Sequence, residues 1–319
     1  MKASIDTFAL CAAAVTLIGA LLYRRCWLSL RGQEITPTGF GVLLAPILVA
    51  GGLISRTPGE LTAAYGVIAA AAGAYWLDDL IELRASLRIL ISFAVGAAIC
   101  ALVLGGASQP LVLVALCVAA GMLNVVLTNV VNFYDGADLN LATFIALTGG
   151  IALIAAPPGS FMRGGAIAIL AFIIPFAAFN SRPKTIYLGD SGSFAFASFL
   201  TLMILVYVRG GGEVPAQAVI PLALPAFDVF FVLGIRVLEK HDLLTRNYLH
   251  LYQKLNARYE GFGYLAPQAA NMAAVLAGDL FLRKAGLGAL PALGLSMAVL
   301  TPITYFSSRN LFLGQATKS

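Results

Sequence analysis

Apolar residues run through this chain in blocks about as long as a bilayer is thick, separated by short polar stretches. A transmembrane helix needs roughly 20 apolar residues. Eleven blocks approach that length: 5–23, 38–55, 61–77, 87–105, 110–131, 139–156, 163–179, 191–208, 214–235, 266–282 and 287–306. The pattern predicts an all-α, polytopic transmembrane helix bundle of about 11 spans, forming a single integral-membrane domain over 1–319. The first block, Ile5–Tyr23, has no small-residue cleavage site and no basic start beyond Lys2, so it is expected to be a retained helix. The longest polar segment, 236–265, is expected to be a loop inside that domain.

An odd number of spans puts the termini on opposite sides, and the distribution of basic residues orients them. With the N-terminus outside and the C-terminus cytoplasmic, 14 of the 20 Lys and Arg residues fall inside. The loop 236–265 falls there as well. The expected location is a bacterial inner (cytoplasmic) membrane, with the chemistry on its cytoplasmic face.

Composition agrees. Hydrophobic residues make up 60% of the 319 and charged residues 11%, with a mean hydropathy of +0.90. A soluble protein of this size needs far more charge to cover its surface. The net charge of +5 is spread over loops, which argues against nucleic acid as a partner. Cys11, Cys26, Cys100 and Cys117 lack metal-ligand or CxxC spacing and read as free thiols.

The candidate chemistry lies where the apolar blocks end. Three polar clusters hold five of the chain's 15 acidic residues: Asp78-Asp79, Asn132 to Asp138 (with Asp135), and Gly189-Asp190-Ser191-Gly192-Ser193. Carboxylates close to a bilayer are costly and usually functional. Several on one face could hold a divalent cation that brings phosphates there. Adjacent Asp78 and Asp79 repel each other and need a nearby cation, for which Arg84 and Arg88 are the local candidates. Asn129, Asn132, Asp135 and Asp138 recur every three residues, near one face of a helix end. Asp190 opens a helix between two glycines, where helix amides favour phosphate. GDSGS also resembles a serine-protease nucleophile motif, but the only histidines, His241 and His250, lie in the distant loop. Asp228, inside the ninth block, reads as a supporting residue, and Asp279 with Arg283 as a structural i,i+4 pair.

Taken in order, these residues resemble the polyprenyl-phosphate N-acetylhexosamine-1-phosphate transferases, glycosyltransferase family 4. Relatives include lipid I synthase and the enzymes that initiate O-antigen, enterobacterial common antigen and teichoic acid synthesis. Ile35 to Gly41 resembles the family's Pro-x-x-Gly-Gly segment. Asp78-Asp79 resembles its paired aspartates, Asn132 to Asp138 its N-x-x-D-G-x-D motif, and Asn180 to Ser193 its N-x-x-P…F-x-G-D-x-G-S segment. Four ordered motifs are specific where one would not be.

The resemblance implies transfer of a sugar 1-phosphate, of N-acetylhexosamine type, from a UDP-sugar to polyprenyl (undecaprenyl) phosphate. UMP is released, and Mg2+ is the cofactor, with Mn2+ an alternative. Asp190 is then the metal ligand. Asn132, Asp138, Asn180 and Tyr187 bind substrate, with Tyr187 stacking on uracil. Asp78, Asp79, Asp135, Arg246 and His250 are catalytic, Asp78 and Asp79 acting on the lipid phosphate. Expected partners are the UDP-sugar, polyprenyl phosphate and membrane lipids, with a homodimer left open. The implied product initiates a cell-surface glycan of the O-antigen or lipopolysaccharide kind.

The chain departs from the family pattern in two places. Where the family carries His-x-His-His, only Arg246 and His250 remain, and Leu139 stands at the second glycine of D-G-x-D-G. The competing readings are a transporter or flippase of lipid-linked or anionic substrates, and an inactive relative that binds lipid phosphate. Transporters hold charges near the bilayer midplane. Here the acidic clusters lie at the ends of spans, which favours an interfacial enzyme.

Overall fold

The computed structural model describes residues 2–31, 36–55, 59–106, 109–135, 139–181, 185–210, 216–241, 249–259 and 263–314. They form twelve α-helices: α1 (Lys2–Arg31), α2 (Leu44–Ile54), α3 (Gly59–Ile81), α4 (Ala85–Leu104), α5 (Pro110–Tyr134), α6 (Asn140–Ala155), α7 (Phe161–Asn180), α8 (Gly189–Val208), α9 (Ala223–Leu238), α10 (Leu251–Tyr259), α11 (Leu265–Lys284) and α12 (Ala289–Leu313). Two 3-10 segments, Phe40–Leu43 and Ala216–Leu222, lead into α2 and α9. No strand occurs among the described residues. An all-helical answer is what lipid demands, because a helix satisfies its backbone polar groups within itself.

Among the described residues, each of the eleven apolar blocks lies mainly on a helix. Eight helices are long and apolar enough to cross a membrane: α1, α4, α5, α7, α8, α9 with its 3-10 lead-in, α11 and α12. α2 with its lead-in, and α6, are shorter apolar helices. Three boundaries differ from expectation. α1 continues past Tyr23 to Arg31, since hydropathy marks bilayer depth while the following Arg and Leu residues are still good helix formers. Arg236 belongs to the end of α9, where it is buried, rather than to a loop. The nine-residue α10 lies within the segment expected to be a loop; Leu251, Tyr252 and Leu255 form its buried side.

The chain divides into two compact units, Met1–Asp135 with Leu141–Pro215, and Gly136–Asn140 with Ala216–Ser319. In the first, α8 is the central helix. It is apolar on every side and buried along most of its length, as such a helix must be. α3, α4 and α5 pack around it. α1 is peripheral and turns Leu10, Ile18, Leu21 and Leu22 outward, which suits contact with lipid tails.

Polar side chains inside the apolar spans bind these helices together. The Tyr75 and Ser92 hydroxyls lie 2.6 Å apart, and Asn124 Nδ2 donates to the Ser92 carbonyl at 2.7 Å. Thr201 Oγ1 donates to Asn124 Oδ1 at 2.8 Å. Tyr75 also packs on Phe194, with ring centroids 4.0 Å apart. The network links α3, α4, α5 and α8, and hydrogen bonds of this kind contribute about 0.6–2 kcal/mol each between membrane helices.

The second unit has its own core. Ile220, Val275 and Leu293 are packed by Met272, Met297 and Leu300. Phe227, Phe231, Tyr305 and Phe306 form an aromatic cluster between α9 and α12. Arg283 Nε lies 3.0 Å from Asp279 Oδ1, as the i,i+4 spacing predicts. Gln217 Nε2 donates to the other oxygen of Asp279 at 2.9 Å.

Candidate active site

In the first unit, three of the four sequence motifs meet at the start of α8. The meeting is built from backbone outward. Tyr187 N–H donates to the Pro37 carbonyl at 2.7 Å, and Gly41 N–H to the Leu188 carbonyl at 2.8 Å. Ser191 Oγ donates to the Gly39 carbonyl at 3.1 Å. This contact requires glycine on both sides: a Cβ on Gly41 would collide with the Gly192 backbone. Gly189 has φ +79°, and a Cβ there would meet the Asp79 carboxylate.

Asp79 is the hinge of this arrangement. α8 begins with no side-chain cap of its own. Its first free amides are instead taken by a residue 111 positions earlier: Asp79 Oδ1 accepts from Asp190 N–H at 2.9 Å, and Oδ2 from Ser191 N–H at 3.1 Å. Thr38 Oγ1 adds a third donor at 3.3 Å. A carboxylate at a helix N-terminus is favoured both by the orphan donors and by the helix dipole. These two amides are therefore engaged by Asp79, which corrects the expectation that they are open to a phosphate.

Adjacent residues on a helix point about 100° apart, so Asp78 has different surroundings. It is buried, and its Oδ1 accepts from Leu83 N–H, closing the α3–α4 turn. Glu82 in that turn has φ +52°. The cation that paired carboxylates require is Arg88. Its Nη1 lies 3.5 Å from Asp78 Oδ2 and 3.2 Å from Asp190 Oδ2. One guanidinium thus bridges α3 and α8 at the rim. The Asp190 side chain retains 22% exposure there.

The remaining predicted residues fall as follows. Asn132 reaches this cluster, with its Oδ1 3.5 Å from Ser193 Oγ. Asp135 ends α5, its N–H donating to the Asn132 carbonyl. Asn180 is buried and donates from Nδ2 to the Ile186 carbonyl at 3.2 Å, closing the chain between α7 and α8. Tyr187 is half-buried beside Leu188. Asp138 and Arg246 lie outside the described residues. Leu139, at the family's glycine position, has φ +58°, so the backbone keeps a glycine-like conformation with a leucine in it.

His250 lies in the second unit, immediately before α10, and is buried. Its Nδ1 is 3.7 Å from Asp228 Oδ2. Asp228 Oδ1 accepts from Leu251 N–H at 3.0 Å and from Tyr305 OH at 3.2 Å. Asp228 thus carries more than a supporting residue in the middle of a span was expected to, anchoring the start of α10. Arg88 was legible only as a local countercharge. That it reaches Asp190, 102 positions away, has no signature in sequence.

Among the described residues, no group of three or more His, Cys, Asp or Glu side chains is arranged to hold a metal. Asp78 and Asp190 do share one cation, the Arg88 guanidinium. Two carboxylates suit magnesium, which takes one or two from protein and fills its shell with phosphates and water. The residues present therefore fit such an ion.

Residues 61–208, which contain this cluster from Asp78 to Ser193, match the model of Glycosyl transferase family 4. Over 137 residues the chain is 27% identical to a protein of Bacillus subtilis (strain 168) named a probable undecaprenyl-phosphate N-acetylglucosaminyl 1-phosphate transferase; the match covers 41% of the chain and 38% of that protein. Over 195 residues it is 25% identical to a phospho-N-acetylmuramoyl-pentapeptide-transferase of Fervidobacterium nodosum (strain ATCC 35602 / DSM 5306 / Rt17-B1), covering 54% of the chain and 60% of that relative. The matches therefore span less than two thirds of either relative's length.

Proposed function

We propose that this protein is a phosphoglycosyl transferase that moves a sugar 1-phosphate, of N-acetylhexosamine type, from a UDP-sugar to polyprenyl phosphate and releases UMP. The observation that carries the reading is the convergence of Gly39–Gly41, Asp78-Asp79 and Asp190 at one helix end, inside the segment matching the family model. Carboxylates and a guanidinium gathered at the end of a membrane helix suit a reaction between a soluble, anionic donor and a lipid phosphate at the interface.

In this reading Asp190 is the principal ligand of Mg2+, with Asp78 beside it, and the ion when bound neutralises the diphosphate of the donor. Arg88 holds the two carboxylates together and supplies positive charge to phosphate oxygens. Asp79 sets the position of Asp190 by capping α8. Asn132 and Asp135 act on substrate polar groups from the end of α5. Tyr187 stacks on uracil, and Asn180 holds the loop that presents it. For His250, burial against Asp228 favours ordering the start of α10 over contact with the diphosphate.

The site faces the cytoplasm in this proposal, because the basic residues concentrate on that side. Purified protein incubated with a panel of labelled UDP-sugars, undecaprenyl phosphate and Mg2+ should release UMP with one of them. Absence of UMP with the whole panel, from protein that is folded and membrane-inserted, would sink the proposal.

A further inference from the structure

Within the second unit, α10 and the last turn of α12 enclose a groove of about 550 Å3. Lys254 and Arg258 line it from α10, and Arg309 and Asn310 from α12; among the described residues that line it there is no carboxylate. Arg258 already has a structural task. Its Nη1 donates to the Leu313 carbonyl at 2.8 Å, and Tyr259 OH donates to the Phe312 carbonyl at 2.8 Å. The negative end of the α12 dipole is thereby met. Lys254 and Arg309 stand one helical turn before Arg258 and Leu313 on their respective helices, and Lys254 lies on α10, whose own end does not need it. Burial, and the Arg309 guanidinium nearby, push the Lys254 ammonium below its ordinary range, against a smaller opposing pull from the Asp228 carboxylate. Like charges gathered at one cavity are costly unless an anion offsets them.

We infer that this groove is a binding site for a phosphate-bearing anion, held by the charges of Lys254 and Arg309 and the amide of Asn310. The groove lies at the end of a helix long and apolar enough to span a membrane. Two sources of the phosphate therefore share the chemistry, a phospholipid headgroup and a soluble phosphate. The inference stands independently of the transferase reading.

The test uses the full chain in two arms. In the first, protein in phosphatidylcholine nanodiscs doped with phosphatidylglycerol is examined by native mass spectrometry for retained anionic lipid. In the second, inorganic phosphate is titrated at constant ionic strength and thermal stability is followed. The doubly neutral variant Lys254→Gln with Arg309→Gln should lose the preference by roughly thirtyfold, about fivefold per cation near a lipid surface. Arg309→Lys, which keeps the charge, should retain it and guards against a folding defect. Lipid retention without a phosphate effect identifies a headgroup site; saturable phosphate binding identifies a general phosphate site. Equal behaviour of wild type and the doubly neutral variant in both arms overturns the inference.

Discussion

Asp79 and Asp190 are separated by one hydrogen bond, yet their replacement should have opposite signatures. Asp79→Asn keeps size and removes the charge. One of the two α8 amides, at 2.9 and 3.1 Å, then faces an NH2 group instead of an oxygen. A hydrogen bond to a charged group contributes about 1.5–3 kcal/mol, and the charge at the helix N-terminus roughly a further 0.3–1 kcal/mol. Loss of both comes to about 2–4 kcal/mol. For a chain of this size that lowers the melting temperature by roughly 3–6 °C. Asp190→Asn gives up only a half-exposed contact with Arg88 at 3.2 Å. A partly solvated ion pair is worth about 0–1 kcal/mol, so its melting temperature should move by roughly 2 °C or less. The assay can use the protein's own thiols: Cys100 is buried, and its reaction with a fluorogenic maleimide on heating reports unfolding of the first unit. Both variants should lose UMP release, but only Asp79→Asn should melt early. An Asp79→Asn protein that melts with wild type, or an Asp190→Asn protein that melts as early as Asp79→Asn, refutes the division into cap and ligand.

Three further expectations can be checked with the same preparation. Tyr187→Ala should weaken UDP-sugar binding by roughly one to two orders of magnitude, the value of a base stacked on an aromatic ring; unchanged affinity by calorimetry removes Tyr187 from the site. Asp228→Asn disturbs the acceptor shared by Leu251 N–H and Tyr305 OH, so hydrogen exchange at the start of α10 should accelerate by about tenfold or more, for about 1.5–3 kcal/mol lost. Unaltered protection there would show that Asp228 does not anchor the segment. Glu82 is exposed with φ +52°. Glu82→Gly should relieve about 1–2 kcal/mol of strain against roughly 0.4–1 kcal/mol of added chain entropy, and so raise the melting temperature slightly; a lower one would contradict the strain.

Much of this protein is legible in one dimension. Among the described residues the eleven apolar blocks lie mainly on helices, because a bilayer leaves the backbone few alternatives. The residues of the paired-aspartate, Asn132 and Gly189–Ser193 motifs stand out as candidates because polar groups are costly there, and the structure brings them to one helix end. The Asp279–Arg283 pair followed from helical spacing alone. What the chain order could not express is which acid does what. Asp78 and Asp79 are neighbours in sequence, but the rotation of one helical residue sends one to the α3–α4 turn and Arg88, the other to the amides of α8. The bridge from Arg88 to Asp190, the closure of Gly41 on Gly192, and the anchoring of Leu251 on Asp228 all join residues distant in sequence. Local periodicity reports which face of a helix is apolar. Only tertiary packing, which brings helix ends together and sets their side chains against particular partners, decides that one carboxylate caps a helix while its neighbour closes a turn and pairs with an arginine.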